Sequence, residues 1–157
     1  MNNTEKFIKR IYESINICSP DQLTISNVAE KMNLGVDYWP YTSVFAECKG
    51  RCKVFINENL NKQQQWQDFS HEMGHYFQDG GCHRQFIRHY INYREIKADY
   101  FAYHFCVPTF MLLKIKGVDV YDVMNLFNVE FDFALRRLEM YKNKILENKI
   151  VYERAYY

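Results

Sequence analysis

An α+β fold is predicted by the order of patterns along the chain: apolar residues at helical spacing near the start, three short β-type runs, then helical spacing again from residue 62 onward. Residues 4–16 place Phe7, Ile8, Ile11, Tyr12 and Ile15 at helical spacing, and Pro20 closes that segment. Thr24 or Ser26 can cap a second short helix over Val28, Ala29 and Met32, ending at Gly35. Residues 36–39, 43–47 and 52–56 read as strands with Lys49-Gly50 as the last turn, which predicts a small antiparallel β-meander. Residues 62–78 form the next helix, ended by Gly80-Gly81, and residues 90–106 another, stopped ahead of Pro108. Shorter helical patterns follow near 109–116, 119–127 and 131–147, and the tail 149–157 fits strand or disorder equally. There is no internal repeat, low-complexity linker or domain boundary, so 1–157 reads as one domain.

At 157 residues the chain can bury a core without disulfide staples. Lys+Arg at 20 against Asp+Glu at 19 gives a net charge of +1, so no global field marks a nucleic-acid or membrane-surface binder. Any charge-driven partner must act locally. Five cysteines (18, 48, 52, 82, 106) at irregular spacing suit a reducing compartment. Cys48 and Cys52 lack a second pair to complete a zinc knuckle and read instead as cross-strand neighbours on a hairpin. With no apolar run resembling a signal peptide or membrane span, the expected location is cytoplasmic.

The chemistry is concentrated in His71-Glu72-Met73-Gly74-His75, an HExxH. Chance would spell it in roughly one such chain in a hundred, so its setting has to decide. At helical pitch Trp66, Phe69, Met73, Tyr76 and Phe77 share one face, and His71 and His75 lie nearly opposite. They are therefore not core-facing histidines. Residues four apart on a helix have Cβ atoms about 5–6 Å apart, so both imidazoles can reach one ion, with Glu72 to the side. A zinc site also needs a third protein ligand. The metzincin pattern HExxHxxGxxH is excluded, because its extra positions are Gln78 and Gly81 here.

A gluzincin takes its third ligand from a later helix, and the next helix carries Glu95, Ala98, Asp99 and Ala102 on one face. Small residues beside a carboxylate allow close helix approach. Glu95 can then reach the metal, and Asp99, one turn on, can accept the outer ring N–H of His71 or His75. The strand around 53–57, just before the HExxH helix, offers an edge to an extended peptide.

HEMGH followed by Glu95-Ile96-Lys97-Ala98-Asp99-Tyr100-Phe101-Ala102 and Pro108 resembles the ImmA/IrrE metallopeptidases. Phe127-Asn128-Val129 and Leu135-Arg136-Arg137-Leu138 add weaker similarity, so the resemblance spans roughly 20–140. Phe105-Cys106-Val107 stands where many members carry an aliphatic run. The resemblance implies a zincin-like fold, zinc held by His71, His75 and Glu95, Glu72 as catalytic base, and cleavage of a helix-turn-helix transcriptional repressor that controls mobile-element or stress genes. Tyr90, Tyr93, His83, Arg84 and His104 are available as oxyanion donors, His104 least so because it lies opposite Glu95 on its helix. Three other readings stand beside this one: a non-catalytic zinc-binding anti-repressor that sequesters a regulator, a DNA binder using the helix-turn-helix-like stretch 118–147, and zinc as a structural staple. The stretch carries only two arginines among several acids, which leaves little for phosphate contact.

Overall fold

A computed structural model describes residues 1–48, 50–79 and 88–155, the side chains of 48, 79, 88–91 and 147–155 excepted. Helix α1 (Asn3–Ser14) starts at Asn2, whose side chain accepts from the Glu5 amide while Glu5 accepts from the Asn2 amide, a reciprocal cap. A 3-10 turn (Pro20–Gln22) leads to α2 (Ile25–Lys31), capped by Thr24. This helix ends earlier than Gly35: Asn33 turns left-handed at φ 55°, and Gly35 opens the first strand.

The strands are β1 (Gly35–Trp39), β2 (Val44–Cys48) and β3 (Arg51–Asn57). The α+β class holds, but the sheet is not an antiparallel meander. Its order is β1-β3-β2, with β2 antiparallel to β3 and β1 parallel to β3. Residues 40–43 cross the C-terminal end of β3, where Ser43 Oγ accepts from the Asn57 amide at 3.0 Å. The strand that buries most, β3 through Val54 and Ile56, takes the middle. The expected peptide edge at 53–57 is therefore paired on both sides, and the outer strands are β1 and β2. The register sets Cys48 opposite Arg51 and Cys52 opposite Glu47, so these cysteines stand on adjacent rungs rather than facing each other.

Helix α3 (Lys62–Asp79) lies against this sheet and α4 (Arg88–Cys106) packs along α3, followed by α5 (Thr109–Leu112), α6 (Val120–Phe127) and α7 (Phe131–Ala155). Trp66, Phe69 and Met73 of α3 meet Phe101 and Phe105 of α4 in the core, with Ile8 and Tyr12 of α1 and Val54 and Ile56 of β3. The Tyr12 hydroxyl donates to the Phe105 carbonyl at 2.7 Å. Asn128, left-handed at φ 52°, ends α6. The tail expected to be strand or disorder continues as helix to Ala155, while Tyr156 and Tyr157 lie outside the described residues. Among the described residues no helix is long and apolar enough to cross a membrane.

A polar chain runs through the core between α1, α5 and α7. Arg137 is buried and donates through Nε to the Val107 carbonyl (3.1 Å) and through Nη2 to Thr109 Oγ1 (2.7 Å). Thr109 in turn donates to Glu5 Oε1 at 2.7 Å, and Lys144 contacts Glu5 Oε2. One of the two arginines a DNA-binding reading needs is thus turned inward. Arg137→Leu is expected to cost about 2–4 kcal/mol in urea unfolding, because it strands buried acceptors. Arg136→Ala, at an exposed position, should stay within about 0.5 kcal/mol.

Candidate metal centre

The seam between α3 and α4 is set by Gly74 and Ala98. A Cβ placed on Gly74 would stand 2.9 Å from Ala98 Cα and 3.1 Å from its carbonyl oxygen, so only glycine allows this approach. Ala98 and Ala102 are buried against α3, and they bring Glu95 and Asp99 of the same helix face to the histidines.

The side chains on this seam converge. His71 Nε2 lies 3.0 Å from His75 Nε2, and the two Glu95 carboxylate oxygens lie 3.3 Å from His71 Nε2 and 3.5 Å from His75 Nε2. Zn–N and Zn–O distances of about 2.0–2.2 Å imply tetrahedral ligand separations of roughly 3.3–3.5 Å. The two imidazole nitrogens, with one Glu95 oxygen against each, therefore stand close to the separations of zinc ligands. His71 Nδ1 lies 2.8 Å from Asp99 Oδ1, which fixes the ring with Nε2 turned toward His75 and Glu95.

Glu72 is only 9 % exposed, with ligand atoms of His71, Glu72 and His75 all within 4.8 Å of one another. The Phe45 amide of β2 donates to Glu72 Oε2 at 2.8 Å. Burial raises the Glu72 pKa above the ordinary carboxylate value; the Phe45 amide and His71 oppose that shift without cancelling it. Ser43 Oγ donates to Asp68 Oδ2 at 2.6 Å, so β2 is fastened to α3 at a second point.

Of the sequence candidates, the structure brings His71, Glu72, His75, Glu95 and Asp99 together. His104 is elsewhere, buried with Nε2 at 3.8 Å from Glu5, and burial and Arg137 lower its pKa to about 4. Tyr93 is half-exposed on α4, under the Lys97 ammonium at 4.3 Å. His83, Arg84 and the side chain of Tyr90 lie outside the described residues. Sequence reading missed Gly74, Ser43 and the Phe45 amide. Glycine inside a helix was a usable signal, since it costs about 1 kcal/mol relative to alanine unless packing requires it.

Helices held at such a distance, with an HExxH on one and a carboxylate facing it from the next, are the construction of HExxH metallopeptidases. Sequence comparison narrows that class. The profile of the IrrE N-terminal-like domain, a peptidase family, matches residues 21–139, about three quarters of the chain, and the chain belongs to that family. It is similar to the phage-like element PBSX protein XkdA of Bacillus subtilis (strain 168), 28% identical over 149 residues, covering 92% of this chain and 75% of XkdA. It is also similar to the uncharacterized protein YqaB of the same organism, 28% identical over 152 residues, covering 94% of this chain and 88% of YqaB.

Gly74→Ala should lower stability by about 1–3 kcal/mol in thermal unfolding. On an unobstructed helix the same change would gain up to about 1 kcal/mol. Clash with the Ala98 backbone decides the sign.

Proposed function

We propose that this chain is a zinc-dependent endopeptidase whose substrate is a helix-turn-helix transcriptional repressor, cleaved to release the genes it controls. The His71 and His75 Nε2 atoms 3.0 Å apart, with one Glu95 oxygen 3.3 Å from the first and the other 3.5 Å from the second, carry the metal part of this reading. Glu72 competes with Glu95 for the role of third ligand. Glu95 is favoured because each of its oxygens faces one imidazole nitrogen, whereas Glu72 Oε2 is engaged by the Phe45 amide. Family membership supports peptide hydrolysis, and the phage-like element in the name of one relative supports a repressor of mobile-element genes as target.

Zinc bound there supplies Lewis acidity, lowering the pKa of a water to about 7 and polarising a carbonyl. The remaining work falls to the chain. Asp99 holds the His71 ring through Nδ1, and Glu72, fixed through Oε2, uses Oε1 to take a proton from the attacking water and return it to the leaving amine. The outer edge of β2, not β3, lies nearest Glu72 and is the strand along which an extended peptide would pair.

Glu72→Gln should reduce cleavage about 10²–10⁴-fold while elemental analysis still finds one zinc per chain. Glu95→Ala should lose its zinc on dialysis; full retention would discard Glu95 as ligand. Asp99→Asn is expected to weaken zinc about 10–100-fold in a competition titration with a chelating dye. The repressor itself is sought by co-purification with Glu72→Gln in the native host. Two fragments, formed from the trapped protein only by the wild-type chain with metal, support the peptidase, and a stable complex without fragments supports an anti-repressor.

A further inference from the structure

A cavity of about 240 Å³ opens beside His71, on the side where α3 begins. Taking roughly 30 Å³ per water, it has room for about eight waters, enough for one long side chain and too little for a folded element. Its walls come from three helices: Gln67, Asp68 and His71 of α3, Asp99 and Tyr103 of α4, and Phe133 of α7. Because His71 is itself a wall, a side chain in this cavity belongs to a residue next to the bond being cut.

The lining is divided. Tyr103 and Phe133 pack with ring centroids 4.4 Å apart and planes tilted by 33°, forming an aromatic side. Asp68 and Asp99 supply carboxylates at the other. Gln67 is committed elsewhere, accepting from the Glu130 amide at 2.8 Å and donating to Glu130 Oε2 at 3.3 Å. Arg136, whose charge reaches Tyr103, pairs with Glu139 at 3.4 Å. Glu72 and Glu95 together carry the charge that a divalent ion neutralises. Asp68 and Asp99 lie beyond that balance and leave the cavity negative in a chain whose net charge is only +1.

We infer that this cavity receives one substrate side chain and selects lysine or arginine next to the scissile bond. Either residue can lay its aliphatic stem along Tyr103 and Phe133 and bring its cation to Asp68 and Asp99. A leucine would fill the aromatic side and desolvate the carboxylates without supplying a cation, and an acidic side chain would be repelled. Asp68 is the specificity-determining residue: its partner is the neutral Ser43 hydroxyl, which leaves its charge for a substrate cation, whereas Asp99 holds the His71 ring.

This inference rests on the peptidase reading, so the test separates the two. Peptides differing only at the residue flanking the cleaved bond (lysine, arginine, leucine or glutamate) are scored for binding to zinc-loaded Glu72→Gln by fluorescence anisotropy. The same peptides are scored for cleavage by the zinc-loaded wild-type chain. Binding should favour the basic peptides over leucine about tenfold. Asp68→Asn, which keeps an oxygen for the Ser43 hydroxyl, should erase that ratio through KM. Asp68→Lys should shift preference to glutamate. Because Asp68 also neighbours Glu72, the ratio between peptides is the readout: a change in the base alters all peptides alike. Equal binding of basic and leucine peptides, or a ratio unmoved by Asp68→Asn, overturns the pocket assignment even if every peptide is cut. Basic preference in binding without any cleavage upholds the pocket and overturns the peptidase reading.

Discussion

The close approach of α3 and α4 at Gly74 and Ala98 is the constraint on which the centre depends. Donor atoms 3.0 to 3.5 Å apart come from both helices, so a separation larger by the width of one methyl group would pull Glu95 out of reach of the imidazoles. Glycine in mid-helix costs about 1 kcal/mol relative to alanine. Against it stand the fully buried Trp66, Phe69 and Met73 of the same helix, at about 1.5–3 kcal/mol each. The opposite face of α3 therefore holds the helix in place with several times the free energy that its glycine gives up.

The sheet supplies the second fixed point, and its strand order matters to the chemistry. Backbone N–H groups alternate sides along an antiparallel strand, so an edge strand presents half of them away from its partner. With β3 in the middle, β2 keeps an outward side, and the Phe45 amide on it reaches Glu72. In the meander order read from the sequence, β2 would sit between two strands and that amide would be spent on the ladder. The same crossing places Ser43 between the Asn57 amide and Asp68, tying the end of the central strand to α3.

What the sequence disclosed divides along the range of the interactions. Helical spacing within α3 and α4 is local, and it put His71, Glu72 and His75 on one helix and Glu95, Ala98, Asp99 and Ala102 on one face of the next, where the structure has them. Strand order is not local: a period of two says which side chains share a face, not which strand lies beside which. The Phe45 amide left no trace, because every residue except proline carries the same donor. Phe133 could not be connected to His71 either, since 62 residues separate them and only tertiary packing of α7 brings that ring to Tyr103.

That last contact changes what the C-terminal helices do. Read as a helix-turn-helix they would present arginines to phosphate, yet Arg137 is spent inside the protein on Val107 and Thr109, and Arg136 pairs with Glu139. Val123, Phe127, Val129, Ala134 and Leu138 enter the same core as the aromatic residues of α3 and α4. Glu130, between α6 and α7, engages Gln64 and Gln67 of α3 on the approach to His71. The segment with the weakest sequence signal thus builds a wall beside the centre, and variation in α7 can alter what reaches His71 without touching any residue of the HExxH.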